Sequence, residues 1–164
     1  MFIPGPNDVL MSKILSIAVP AIVIFFVGSI FWGVEQEYRK VIATFNASEI
    51  LYLEKMASGA PWRIRFPFYA TVNNCLVTVF LNDRIMIRLP GIVTIGNPFL
   101  AKVSQDILYS QITSCEVKKI FWRSLFILRS NKPDKEEYYS LFLRNPAKAL
   151  EIFKAKGILI NDDR

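Results

Sequence analysis

Ile14 to Val34 is an unbroken run of twenty-one uncharged, mostly apolar residues, ILSIAVPAIVIFFVGSIFWGV. Wound as an α-helix at about 1.5 Å per residue, it is long enough to cross a hydrocarbon core of about 30 Å. A cleaved secretory signal carries a shorter apolar core and a small-x-small cleavage site. Here the run ends in Phe31, Trp32, Gly33 and Val34, and Glu35 follows. The expectation is therefore a retained span. Trp32 and Tyr38 suit an interfacial belt, Arg39 and Lys40 can snorkel, and Pro20 lies where lipid tolerates a kink. Gly28 and Trp32 make no GxxxG pair, so no dimerisation face is read and the oligomeric state stays open.

Charge lies on one side of this run. Residues 1–34 hold only Lys13 and Asp8, so the whole +6 of the chain belongs to the part that follows. Arg39, Lys40, Lys55, Arg63 and Arg65 outweigh Lys13 and the free amine, which favours an outer N-terminus and a cytoplasmic domain. The expected arrangement is thus single-pass in an inner (plasma) membrane, with the domain in the cytoplasm. A basic surface there either meets anionic headgroups or only keeps the domain soluble.

The chain has no histidine, which excludes Ser-His-Asp and Cys-His catalysis and imidazole metal sites. Cys75 and Cys115 form no CxxC pair and read as small core hydrophobes; a disulfide between them would need an oxidising compartment. No carboxylate pair is placed for acid–base work, Ser110, Ser114 and Ser124 have no base but a lysine, and no phosphate-binding glycine loop occurs. The expectation is no enzyme, no cofactor, no metal and no nucleic-acid partner.

The order of elements follows from periodicity. Residues 1–13 form a tail, 14–34 the span and 35–60 a juxtamembrane helical region. In that region Asn46 and Glu49 have capping-box spacing before SEILYLEKM. The N-A-S sequon at 46–48 is read as chance. PWRIRFPFYA interleaves Trp62, Phe66, Phe68 and Tyr69 with Arg63 and Arg65, as either a headgroup-level segment or an irregular strand. LVTVFL (76–81) and RIMIRL (84–89) flank Asn82-Asp83 as a tight hairpin. Further strands are expected at 92–95, 102–108, 115–121, 125–129 and 138–143, with a polar loop NKPDKEE between the last two. A closing helix has Asn145 as N-cap, Pro146 at N1, an apolar face of Ala147, Ala149, Leu150 and Phe153, and Gly157 at C′. Residues 158–164 are read as a tail with a frayed end.

Consecutive antiparallel strands followed by one amphipathic helix resemble the pleckstrin-homology (PH) superfold, and more narrowly the bacterial PH-like domains attached to transmembrane helices. The resemblance covers roughly 73–157 and rests on VTVFLNDRIMIRL, ILYSQITSCEVKKI, WRSLFILRS, YYSLFLRN and PAKALEIFKAK. It implies an α+β chain: a single transmembrane helix, then a PH-like antiparallel β-barrel or sandwich over 61–157, closed by the C-terminal helix. Such a fold hosts lipid, peptide and protein ligands alike. The stretch 62–69 has no place in the pattern, and the first β-hairpin lacks the basic signature of phosphoinositide binders. Lys118, Lys119, Trp122 and Arg123, with Trp62, Arg63 and Arg65, are the expected contacts to lipid or to a partner. The functional expectation is a membrane-anchored binding or assembly module, touching anionic headgroups or a membrane-protein partner. The alternative is an accessory structural subunit of a membrane complex.

Overall fold

The computed structural model describes residues 6–62, 72–94, 100, 102–120, 123–132 and 135–163. It is α+β, with one long helix followed by one mostly antiparallel sheet. Helix α1 runs Pro6–Thr44 without interruption, Pro20 included. Its stretch Lys13–Thr44 is long and apolar enough to cross a membrane, and none of its most apolar window is buried. Ile17, Ile24 and Phe25 are more than two-thirds exposed.

Eight strands follow: β1 (Ile50–Ala60), β2 (Val72–Leu81), β3 (Arg84–Arg88), β4 (Gln105–Leu108), β5 (Ile112–Ile120), β6 (Arg123–Lys132), β7 (Lys135–Leu143) and β8 (Leu159–Asp163). A one-turn helix, α2 (Gly91–Thr94), joins β3 towards β4, and α3 (Pro146–Ala155) precedes β8. Their order in the sheet is β4-β3-β2-β1-β7-β6-β5-β8. β1 belongs to both halves: it pairs with β2 from Ile50 to Gly59, and its end, Ser58–Ala60, pairs also with β7. Irregularities at Lys55/Ala57 and Ala57/Gly59, with Met56 at φ 63°, put bulges at the change-over, and bulges bend a strand.

The two halves share one core. Leu76, Phe80, Ile85 and Ile87 from one half meet Cys115, Phe126, Leu128 and Leu141 from the other, with Ala149, Ile152 and Phe153 of α3 between them. The Phe153 ring lies 5.6 Å from Phe80 and 6.0 Å from Phe126. Asn145 caps α3 by accepting from Lys148 N at 3.2 Å, and Gly157 takes φ +71° just past its end. Of the expected helix face, Ala149 and Phe153 are buried and Leu150 is half-buried, whereas Ala147 is exposed and Ile152 takes its share.

Several expectations are corrected. The sheet does not close into a barrel: β5 gives one edge to β6 and the other, in parallel register, to β8, so no free edge remains for β4. The stretch expected as a helix after Glu49 is strand β1. Glu49 does accept from Asn46 N at 2.7 Å, but that bond closes a turn and not a helix. Residues 92–94, expected in a strand, lie in α2. The tail is β8, with Leu159–Asp163 opposite Ser114–Lys118. The hairpin at Asn82-Asp83 forms as expected, with Phe80 opposite Ile85.

Candidate functional site

The last turns of α1 do not leave the sheet alone. Val34, Tyr38, Val41 and Phe45 recur at intervals of four and three residues, which puts them on one helical stripe. That stripe packs on Val77, Val79, Leu81 and Met86, together with Ile50, Leu53 and Met56 of β1. Val34 and Val41 are 2% and 3% exposed, against 71% for Ile24 in the same helix. Lys55 Nζ reaches Glu35 Oε2 at 2.7 Å and stands 3.6 Å over the Tyr38 ring. Gly33 lets the chain after β3 approach, since a Cβ there would lie 2.9 Å from Pro90 Cβ.

This docking sets the direction of the domain. An open cleft of about 270 Å³, lined by Trp32, Gly33, Gln36, Glu37, Lys40, Pro90, Gly91 and Ile92, marks where the bare apolar stretch of α1 gives way to the docked stem. At the other end of the stem Phe45 meets Leu81, Asn82, Asp83 and Arg84 around a second cleft. The Pro90–Thr94 connection therefore sits beside the apolar stretch, and the 82–83 hairpin sits away from it. Arg84 holds the Asp83 carboxyl below the usual range.

The residues expected to make contacts do not form one patch. Lys118 pairs in register with Leu125 and Lys119 with Ser124, so the two lysines point to opposite faces. Lys118 Nζ is 2.7 Å from Glu116 Oε1, while Lys119 is exposed. Trp62 is 42% exposed just past β1, and its carbonyl accepts from Ser140 Oγ at 2.7 Å. Trp122, Arg63 and Arg65 lie outside the described residues.

Arg123 is the best positioned of the set. Its Nη2 donates to Ser58 Oγ at 3.3 Å, and its guanidinium lies 5.0 Å from the Phe142 ring centroid. Ser58 is fully buried; its hydroxyl also accepts from Asn74 N at 2.9 Å and approaches Asn74 Oδ1 at 3.4 Å. Asn74 holds this place at φ 52°, an uncommon conformation for a residue with a side chain. Arg123, Asn74, Ser124, Leu143, Arg144 and Pro146 line an open cleft of about 360 Å³. Sequence reasoning missed Arg144 and Asn74, which come from a strand end and a strand start far apart in the chain.

Burial pushes the Cys115 thiol up to about 12 and raises that of Cys75. The Tyr52 hydroxyl, which donates to Glu54, is raised by burial and by that carboxylate. Glu54 is itself buried and takes Arg144 N at 2.9 Å, tying the β7–α3 corner to β1. No group of three metal-ligating side chains occurs among the described residues. The arrangement at Arg123 presents fixed hydrogen-bond donors, which is chemistry for holding an anion.

Helix, sheet and docked stem define a module whose sheet is fastened along a long apolar helix. No family model matches the chain, and no curated protein resembles it significantly.

Proposed function

We propose that the chain is a single-pass, membrane-anchored binding and assembly module. Its sheet domain would be a PH-like unit held at the surface of a bacterial inner membrane, facing the cytoplasm. The observation that supports this most is the continuity of α1: one helix carries both the bare apolar stretch and the stem packed on Val77, Val79 and Met86. A domain fastened in this way keeps one end at the bilayer surface at high effective concentration, so weak contacts suffice. Trp32 and the Pro90–Thr94 connection lie at that level, where aromatic and apolar groups meet headgroups. The side of the membrane rests on Arg39, Lys40 and Lys55 beyond the span. The ligand is an anionic headgroup or a protein partner; no catalytic role is assigned.

Reconstitution of the full chain in nanodiscs of neutral or partly anionic lipid, with hydrogen exchange at low and moderate salt, tests the headgroup arm. Added protection around 88–94 and 123 in anionic discs, weakened by salt, supports it. Equal exchange in both lipids turns the reading to a protein partner. The alternative of an accessory subunit in a membrane complex draws on β4 and β8, the end strands of the sheet among the described residues, since a sheet edge can accept a strand. Stoichiometric co-purification of another protein in mild detergent would favour it.

A further inference from the structure

The corner where β6 starts and β7 ends brings Arg123 and Arg144 to one cleft. The ladder ends with Ser124 opposite Leu143, so one step further Arg123 comes opposite Arg144. Leu125 and Phe142, the pair before, belong to the same cluster on the face turned away from the shared core. By strand alternation Arg123 shares the side of Leu125, and Arg144 continues that of Phe142. Like charges directly opposite on an antiparallel pair repel. Yet no ion pair to either side chain occurs among the described residues. The carboxylate nearest in the hydrogen-bond network, Glu54, is buried and turned to Arg144 N and the Tyr52 hydroxyl. No acidic side chain is found among the described residues lining the cleft.

The corner is also prepared. Arg123 is held from two sides, by the hydroxyl of Ser58 and by the ring of Phe142, and that hydroxyl accepts in turn from the backbone N–H of Asn74. Ser58 contacts Asn74 Oδ1, which leaves the Asn74 amide hydrogens to donate elsewhere. Forked guanidinium donors bind tetrahedral oxyanions bidentately, and two positive charges match a dianion better than a single carboxylate.

The geometry points to an anion site for phosphate or a phosphomonoester group, gripped between Arg123 and Arg144 with Asn74 at its side. The site is independent of the membrane reading, since a soluble phosphate and a phosphomonoester lipid headgroup present the same chemistry.

The test uses the full chain in a non-ionic detergent, with 15N-labelled arginine and inorganic phosphate titrated at constant ionic strength. The Nε–Hε resonances of Arg123 and Arg144 are expected to move together and saturate, and Arg144→Gln is expected to weaken binding about tenfold. Arg123→Lys, which keeps the charge but loses the fork, is expected to weaken it too while leaving the near-UV circular dichroism unchanged. If neither resonance moves, or if both variants bind phosphate as the parent does, the assignment is wrong. Nanodiscs separate the sources. Loss of the phosphate response in phosphatidic-acid discs, but not in phosphatidylcholine discs, identifies the lipid headgroup as occupant. An undiminished response in both identifies a soluble phosphate.

Discussion

Replacing Gly33 by alanine sets two effects of opposite sign against each other. In a helix free of neighbours the change removes a poor helix former, a gain of about 1 kcal/mol. At Gly33 the new methyl would meet Pro90 Cβ at 2.9 Å and Ile92 Cγ2 at 3.1 Å. The proline carbon sits in a ring fixed to the backbone, so it cannot swing away as a flexible side-chain end would. Overpacking of this kind costs about 1–3 kcal/mol. The expected net effect is a loss of stability of about 0–2 kcal/mol, by difference of those two terms. Gly28, five residues earlier on the bare stretch, has nothing within 4 Å of its own would-be Cβ and serves as the control. Denaturant unfolding of the full chain in mild detergent, followed by tryptophan fluorescence, should rank Gly28→Ala at or above the parent and Gly33→Ala below it. Hydrogen exchange should show faster opening of β3 in Gly33→Ala alone. A Gly33→Ala protein more stable than the parent by about 1 kcal/mol would mean the stem is not docked, because only the propensity gain would then be felt.

Three further outcomes are expected. Phe153→Ala, at the fully buried junction of the two sheet halves with rings of Phe80 and Phe126 about it, should cost about 3–5 kcal/mol in an unfolding experiment; a cost below 1 kcal/mol would contradict the shared core. A thiol reagent should modify half-buried Cys75 well before Cys115, which is fully buried, and Cys115 should react only on unfolding; equal rates in the native protein would contradict this placement. Alkaline pH should destabilise the fold. The Cys115 thiol is raised by burial from 9.0 to about 12, so the native state keeps a proton that the unfolded chain releases. Stability is then level below pH 9.0 and falls as pH climbs towards 12, by up to about 1.4 kcal/mol per unit for this group. The buried hydroxyls of Tyr109 and Tyr139 are raised as well and act in the same direction. Unfolding midpoints that do not change between pH 8 and pH 11 would refute that sign.

The readable parts of the chain were those written by local rules. The apolar run, the Asn82-Asp83 hairpin and the Asn145–Pro146 helix start each rest on neighbours in sequence, and each forms. Strand β1 misleads because it is enclosed on both sides. Leu51 and Tyr52 pack towards the shared core and Ile50, Leu53 and Met56 towards the stem, so the apolar residues do not alternate. The Glu49-to-Asn46 bond that suggests a helix start is also made in a turn. At 92–94 the β-branched Ile, Val and Thr suggest a strand, yet the segment winds into one turn beside Gly33. β8 carries Asn161, Asp162 and Asp163, poor strand formers that pair only because β5 offers an edge. The candidate site shows the same division. Arg123 stands among the expected contacts, but its sharing of a cleft with Arg144 follows from a β6–β7 register that no local pattern encodes. Lys118 and Lys119 looked like a patch in sequence, and strand alternation separates them.

The central claim is that one continuous helix fixes which end of the domain faces the bilayer. Depth measurement tests it directly, with a spin label placed at Ile92 or at Asn82 in a Cys75→Ser background of the full chain in nanodiscs. The docked stem from Val34 to Phe45 spans about 16 Å at about 1.5 Å per residue. A label at 92 should lie at headgroup depth and be relaxed by lipid-soluble oxygen more strongly than a label at 82, which should lie in water. Equal water exposure at both sites, or a deeper label at 82, would contradict it.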